Sequence, residues 1–264
     1  MKLNLVTART GLSWVKLGAK TFWRQPLALA GLFFMFMAVV SLLQLLPVVG
    51  MALAAALVPA ATLGLMAATR EAEAGRFPMP VVLVTAFRGG AERTKAMAML
   101  GAMYAAALFA VISLSLLLAG PVPADPGTGS EAAELMRETL SQPGLWMAML
   151  LYTPVLMAFW HAPALVYWHG VRPVKSLFFS LLACWANKWA LVVYTLGWAG
   201  VFLVVGLALG VLAAVIGSPQ VLSLMAYPLV LIMAAMFHTS VWFTVRDSFQ
   251  EMAQESAGNP SAGH

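Results

Sequence analysis

Two histidines lie within otherwise apolar stretches of the sequence and are the first candidates for chemistry. His161 and His238 stand in Trp-His-Ala-Pro and Phe-His-Thr contexts, at similar depths in two predicted membrane helices. A pair of imidazoles could bind a metal or haem iron. The alternative, which we favour, is that each neutral histidine hydrogen-bonds a carbonyl or hydroxyl group of a neighbouring helix.

Three further residues could interrupt helix regularity or line a cavity near these histidines. Pro59 and Pro163 each lie within an apolar stretch, and Tyr167 follows Pro163 by about one helical turn. The sequence therefore predicts a cavity or ligand site that comprises His161, Pro163, Tyr167, His238 and Pro59.

Catalytic chemistry is not predicted. Acidic and basic residues fall outside the apolar stretches or at their edges, so no buried carboxylate is available for proton or ion coupling. The membrane serines have no acidic partner in any stretch, and no Gly-x-Ser-x-Gly, His-Glu-x-x-His or P-loop pattern occurs. We expect neither an enzyme nor a resident cofactor or metal.

The elements that carry these residues are membrane helices. The chain has 264 residues, of which 62% are hydrophobic and 9% are charged, whereas soluble domains are about 25% charged. The apolar residues form blocks close to the roughly 20 residues that a spanning helix needs. We predict an all-α membrane protein with six spans, at 27–49, 51–69, 96–119, 145–168, 189–216 and 221–243.

The charges predict the orientation. Fourteen of the fifteen basic residues would share one side of the membrane, because they lie before span one, between spans two and three, between spans four and five, or after span six. Arg137 alone lies on the other side, between spans three and four. The positive-inside rule then places both termini in the cytoplasm. The same asymmetry indicates attraction to anionic lipids rather than binding to nucleic acid.

An amphipathic segment precedes each pair of spans. The first carries Lys16, Lys20 and Arg24 as a basic stripe, the second is Pro80 to Phe87, and the third has an apolar face opposite Ser176 and Ser180. This is the pattern of helices lying in the membrane interface. It predicts three pseudo-repeats and a basic interfacial face, which comprises Lys16, Lys20, Arg24, Arg93, Lys95 and Lys188.

Small residues four apart predict where spans pack closely. Such ridges are Ala52 to Ala68 in span two, Ala98 to Ala110 in span three, and Gly206 with Gly210 in span five. Contacts within the chain are the simplest interpretation, and a homo-oligomer through Gly206 and Gly210 is the alternative. Most tryptophans lie near span ends and are expected to form interfacial belts.

The domain organisation follows from these segments. We predict a single six-helix domain over 1–250, a periplasmic loop at 120–144 that carries the acidic insert, and a disordered cytoplasmic tail at 251–264.

The segment Trp160 to Val166, the pair Arg172-Pro173 and the segment Cys184 to Trp189 resemble an uncharacterised family of betaproteobacterial inner-membrane proteins, as does the stretch from Gly11 to Pro26. A more distant resemblance is to the membrane domain of bacterial glycerophosphodiester phosphodiesterases. The resemblance implies topology and location and no site residues.

Three functions are consistent with this sequence. The first is a non-enzymatic membrane component that binds lipids, or a membrane-protein partner, through its basic face. The second is a small-molecule permease or export accessory with a cavity between helix pairs that reaches His161. The third is a haem or metal protein that uses the membrane histidines.

Overall fold

The structure, a computed structural model, describes residues 2–47, 49–119, 141–217 and 219–250. These residues are almost entirely helical. In chain order the elements are β1 (Lys2–Leu3), α1 (Ala8–Arg24), α2 (Pro26–Leu43), α3 (Val49–Glu73), a 3₁₀ helix (Pro80–Phe87), α4 (Ala91–Ala119), α5 (Pro143–Trp160), α6 (Ala162–His169), α7 (Pro173–Ala186), α8 (Lys188–Ile216), α9 (Pro219–Ser248) and β2 (Phe249–Gln250).

Within the described residues, six helices are long and apolar enough to cross a membrane, if α5 and α6 are counted as one span. The predicted six-helix membrane architecture is therefore confirmed. The first span ends at Leu43, and α4 begins at Ala91, because helix boundaries follow backbone hydrogen bonding rather than the edge of an apolar run. Most of the predicted loop, at 120–140, and the predicted tail, at 251–264, lie outside the described residues.

The fourth span is broken at His161. The backbone N–H of His161 donates to the Ser180 hydroxyl, at 2.9 Å, instead of to a carbonyl of α5. Pro163 lies in the first turn of α6, where a missing N–H costs nothing. Gly170 then ends α6 with a φ of +65°, a left-handed conformation that favours glycine.

Three helices of the described residues, namely α1, the 3₁₀ helix and α7, do not span the membrane, and they are arranged cyclically. α1 packs against α8 and α9, the 3₁₀ helix packs against α3, and α7 packs against α5 and α6. The 3₁₀ helix and α7 therefore each contact the second span of the helix pair that precedes them in the chain. α1 instead contacts the last helix pair, α8 and α9. The predicted order of one non-spanning helix followed by two spans occurs three times along the chain.

α1 does not simply lie in the interface as predicted; it docks between spans. Trp14 and Phe22 are buried on its inner face, while Lys16 and Lys20 are exposed. Two glycines permit the close approach: a Cβ at Gly11 would lie 2.1 Å from the Ala190 carbonyl oxygen, and a Cβ at Gly18 would lie 2.2 Å from Cβ of Ser240.

α7 has the reverse of the usual amphipathic arrangement. Its polar residues Ser176 and Ser180 are fully buried, whereas Phe178 and Trp185 are more than 60% exposed. The inward hydroxyl groups have acceptors, since Ser176 donates to the Pro173 carbonyl of α7 and Ser180 donates to the Met157 carbonyl of α5. An apolar outer face is stable only against lipid, so α7 is embedded in the membrane boundary.

As a prediction of contacts within the chain, the small-residue pattern is confirmed for α3 and wrong for α4 and α8, and the alternative of a homo-oligomer through Gly206 and Gly210 stays a prediction. In α3, Ala60, Gly64 and Ala68 are buried, and the Ala56 carbonyl lies against Gly101 of α4. In α4 the ridge from Ala98 to Ala110 is exposed, because Gly101 and Tyr104 form the packing face. In α8 a Cβ at Gly206 or Gly210 would meet nothing within 4 Å, so this ridge makes no contact among the described residues.

The two ends of the described chain are joined at one end of the bundle. β1 and β2 pair in antiparallel fashion, with Leu3 opposite Phe249. The buried Asn187 side chain links them: its Oδ1 accepts from the Val6 N–H, and its Nδ2 donates to the Asn4 carbonyl and to the Ser248 hydroxyl. We call this end, which also carries the described lysines and arginines, the basic end.

Hydrogen bonds between side chains connect helices inside the membrane region. The Tyr194 hydroxyl lies 2.6 Å from Ser240 Oγ, which also accepts from Trp198 Nε1. Tyr104 and Tyr152 join α4 to α5, with 2.7 Å between their hydroxyl oxygens. Such hydrogen bonds favour contact between helices in the membrane, where apolar side chains have little preference for protein over lipid.

The tryptophan belt is only partly as predicted. The indoles of Trp23, Trp146, Trp185 and Trp189 are exposed, as an interfacial belt requires. Trp14 is completely buried instead, because its Nε1 donates to Asp247 Oδ2 at 2.9 Å.

Packing is unequal along the membrane normal. The buried clusters lie towards the basic end, in the first part of α8 up to Trp198 and the last part of α9 from Met233. In the far half, Leu203, Val211 and Leu224 are more than 60% exposed. The helices therefore pack tightly at the basic end and present apolar side chains outward at the other.

We predict that Gly18→Ala destabilises the protein by about 1–3 kcal/mol, because the new methyl group overlaps Ser240 in a packed contact. Gly31→Ala is the matched control: nothing lies within 4 Å of its Cβ position, so alanine is expected to be neutral or stabilising by up to about 1 kcal/mol. Thermal unfolding in detergent measures both. Equal melting temperatures for the two variants would contradict the docking of α1.

A second prediction concerns Cys184, which is 1% exposed on the inner face of α7. Burial raises the pKa of the Cys184 thiol to about 12, because the thiolate is poorly solvated there. The reactive thiolate is therefore scarce at neutral pH in the folded protein. We expect iodoacetamide to modify folded Cys184 slowly, at a rate still rising above pH 9, whereas in the unfolded chain the rate levels off near the ordinary thiol pKa of about 8.5. Equal rates in the two states, followed by mass spectrometry, would refute the burial.

Candidate functional site

The histidines are separate structural residues with different neighbours. His161 is 1% exposed, its ring lies 5.3 Å from that of Phe249, and its Nδ1 lies 3.5 Å from Cys184 Sγ. Its Nε2 has no hydrogen-bond partner among the described residues. His161 thus lies where α5, α7 and β2 meet.

His238 has its own set of contacts on α9. Its Nδ1 lies 2.8 Å from the Ala234 carbonyl, one turn earlier in the same helix, and its ring lies 5.1 Å from that of Phe33 on α2. The sequence predicted a carbonyl or hydroxyl partner on a neighbouring helix, whereas the carbonyl beside His238 belongs to its own helix, α9. No group of three or more potential metal-binding side chains is found among the described residues.

The other residues of the predicted cavity are also dispersed. Pro163 is buried directly after His161, and Pro59 is buried inside α3. Tyr167 lies near the surface of α6, where the guanidinium of Arg93 is 5.5 Å from its ring. The structure therefore brings His161 and Pro163 together and places Tyr167 beside the basic face.

The predicted basic face divides into three regions. Lys16, Lys20 and Arg24 are exposed on α1, and Lys188 begins α8. Arg93 and Lys95 lie in the first turns of α4, beside the loop that joins α6 to α7. The α4 region encloses a cavity together with that loop.

This cavity, which we call the basic cleft, has a volume of about 400 Å³. Arg93, Lys95 and Arg172 line it together with one acidic residue, Glu92. Glu92 lies 3.7 Å from Lys95, and both side chains are largely exposed, so the pair contributes little rigidity. The cleft carries a net positive charge.

The inner wall of the basic cleft is apolar. Its lining includes Ala96, Met99, Val166, Val171 and Pro173. Arg93 and Lys95 lie at the start of α4 and Arg172 lies at the start of α7, so these cations lie around the opening of the cleft. Apolar residues of α4 and α6 form its floor. An opening with charged edges and an apolar floor suits an anionic amphiphile.

Arg172 was not among the candidate site residues predicted from the sequence. It is exposed and acts as the N-cap residue of α7, more than seventy positions after Arg93 along the chain. The Arg-Pro pair signalled a helix start, but only the folded chain shows that this start faces α4.

A second group of charges at the basic end is structural. Glu73 of α3 accepts from both Arg246 and Trp242 of α9. Asp247 accepts from Arg246 and from Trp14 of α1. These carboxylates pair with Arg246 and fix three helices to one another.

Comparison with known proteins gives one informative match. Over 254 residues, the chain is 37% identical to a protein from Burkholderia thailandensis described as a probable inner membrane protein, and the match covers 94% of each chain. No family model matches the chain, and no solved structure matches it. The distant resemblance to glycerophosphodiester phosphodiesterases finds no support in these comparisons. The near-complete alignment agrees with six apolar helices and shows that the chain belongs to the family of this betaproteobacterial inner membrane protein.

Proposed function

We propose that this protein is a non-enzymatic component of the bacterial inner membrane that binds anionic phospholipid at the basic cleft. The observation that carries the proposal is the convergence of Arg93, Lys95 and Arg172 on one cavity with an apolar floor. Neither the two histidines nor the carboxylates provide an equivalent site.

Electrostatics support a phosphate-bearing ligand. Guanidinium groups bind phosphate oxygens in a bidentate geometry, and the ammonium group of Lys95 adds a point charge. Each cation near an anionic membrane surface contributes about 1 kcal/mol to attraction. Stacking on Tyr167 holds the Arg93 guanidinium at the edge of the cleft, which reduces the entropy lost on binding.

The location of the cleft also fits a lipid. α4 enters the membrane from its charged first turn, which contains Glu92, Arg93 and Lys95, and the apolar surface of Met99 follows one turn later. A phospholipid headgroup at the level of Arg93 would place the start of its acyl chains beside Met99, which is 49% exposed.

We predict that Arg93→Gln combined with Arg172→Gln lowers the affinity for phosphatidylglycerol about thirtyfold, which corresponds to about 1 kcal/mol per removed charge. Native mass spectrometry with phosphatidylglycerol and phosphatidylethanolamine added in turn measures both affinities, and only that of the anionic lipid should fall.

The matched control is Arg9→Gln combined with Lys20→Gln, which removes the same charge from positions that do not line the cleft. We expect this pair to change the affinity less than threefold, since exposed charges at a distance are screened within about 8 Å at physiological ionic strength. Equal losses from the two pairs would mean that total charge, and not the cleft, attracts lipid.

The proposed orientation places the basic end in the cytoplasm. Because β1 pairs with β2, both ends of the described chain lie on the same side. We expect a green fluorescent protein fused after Gln250 to fluoresce in cells and an alkaline phosphatase fused there to be inactive. Active phosphatase at that position would place the basic cleft in the periplasm and overturn the assignment.

A further inference from the structure

A second cavity opens sideways, between α5 and α8. It has a volume of about 230 Å³, and its lining includes Thr153 and Leu156 of α5, Cys184 of α7, and Lys188, Tyr194 and Thr195 of α8. We call it the lateral groove. It begins at Lys188, at the basic end of α8, and runs about two helical turns towards the far side.

Three polar groups that line the lateral groove already have partners within the protein. The Thr153 hydroxyl donates to the Met149 carbonyl, the Tyr194 hydroxyl is paired with Ser240, and Cys184 Sγ lies 3.5 Å from the Met157 carbonyl. A polar solute that entered would lose water without gaining these partners. The groove therefore favours an apolar occupant over a hydrophilic permeant.

Lys188 is the charged residue among those that line the groove. Its Nζ lies 4.8 Å from the ring centroid of Trp185, whose indole is 63% exposed. The ammonium is thus held at the membrane boundary, at one end of an apolar channel. This polarity matches an amphiphile with a negative headgroup at Lys188 and a hydrocarbon chain along α8.

We infer that the lateral groove binds one acyl chain of a phospholipid from the leaflet at the basic end, with the lipid phosphate at Lys188. α1 and α9 anchor the other side of α8, so the lipid fills the gap between α5 and α8 that no helix of the described chain covers. This site is separate from the basic cleft and extends the proposed lipid binding to a structural lipid.

The test uses the full chain in nanodiscs that contain phosphatidylglycerol with a diazirine on one acyl chain. Illumination should crosslink the lipid to the α8 segment from Leu191 to Thr195. Thr195→Trp, which fills the groove, should reduce this crosslink at least fivefold.

Leu196→Trp is the matched control, because Leu196 is 65% exposed and does not line the groove. It should leave crosslinking within twofold of the unmodified protein. Similar melting temperatures for the two tryptophan variants would exclude misfolding as the cause. If both variants crosslink equally, or if label appears mainly elsewhere, the inference is wrong.

Lys188 is tested through headgroup preference. Lys188→Gln should lower retention of phosphatidylglycerol about fivefold relative to phosphatidylethanolamine, and Lys188→Arg should restore it. Crosslinks between two protein chains through this face would instead identify a dimer interface and refute the lipid assignment. Arg93→Gln with Arg172→Gln should leave the groove crosslink unchanged, so failure of the basic cleft and failure of the lateral groove are distinguishable.

Discussion

Burying apolar side chains between two helices provides no hydrophobic driving force in a membrane, because the lipid tails are equally apolar. Association must then come from close backbone approach and from hydrogen bonds that lipid cannot offer. Gly11 and Gly18 supply the first where α1 meets α8 and α9. Asn187, Ser180 and Ser240 supply the second. The architecture follows from these few contacts.

This constraint explains why the number of spans was predictable and their packing was not. The six spans depend on length and apolarity, which are properties of single segments. The packing face of a span depends on its neighbour. A ridge of alanines in α4 satisfied the local rule, yet Gly101 faces α3 because the Ala56 carbonyl lies opposite it. Likewise, the polar side of α7 faces inward because Ser180 caps the broken end of α5.

The candidate sites were predictable in part for the same reason. Arg93, Lys95 and Lys188 were recognisable as interfacial cations from their positions between spans. Their division between a basic cleft and a lateral groove was not, because it depends on how α6, α7 and α8 are placed in space. The two histidines occupy similar positions in their spans, but the ring of His161 contacts Phe249 and the ring of His238 contacts Phe33. Similar sequence positions therefore led to different contacts.

The docking of α1 has a consequence for biogenesis. α1 leaves the ribosome before α8 and α9, but the surfaces that receive its glycines belong to those two later helices. β1 likewise pairs only once β2 has been synthesised, and the three hydrogen-bond partners of the Asn187 side chain lie next to these two strands. α1 therefore reaches its native position only after the helices that follow it are made, and its basic stripe and apolar side suit it to the membrane surface until then.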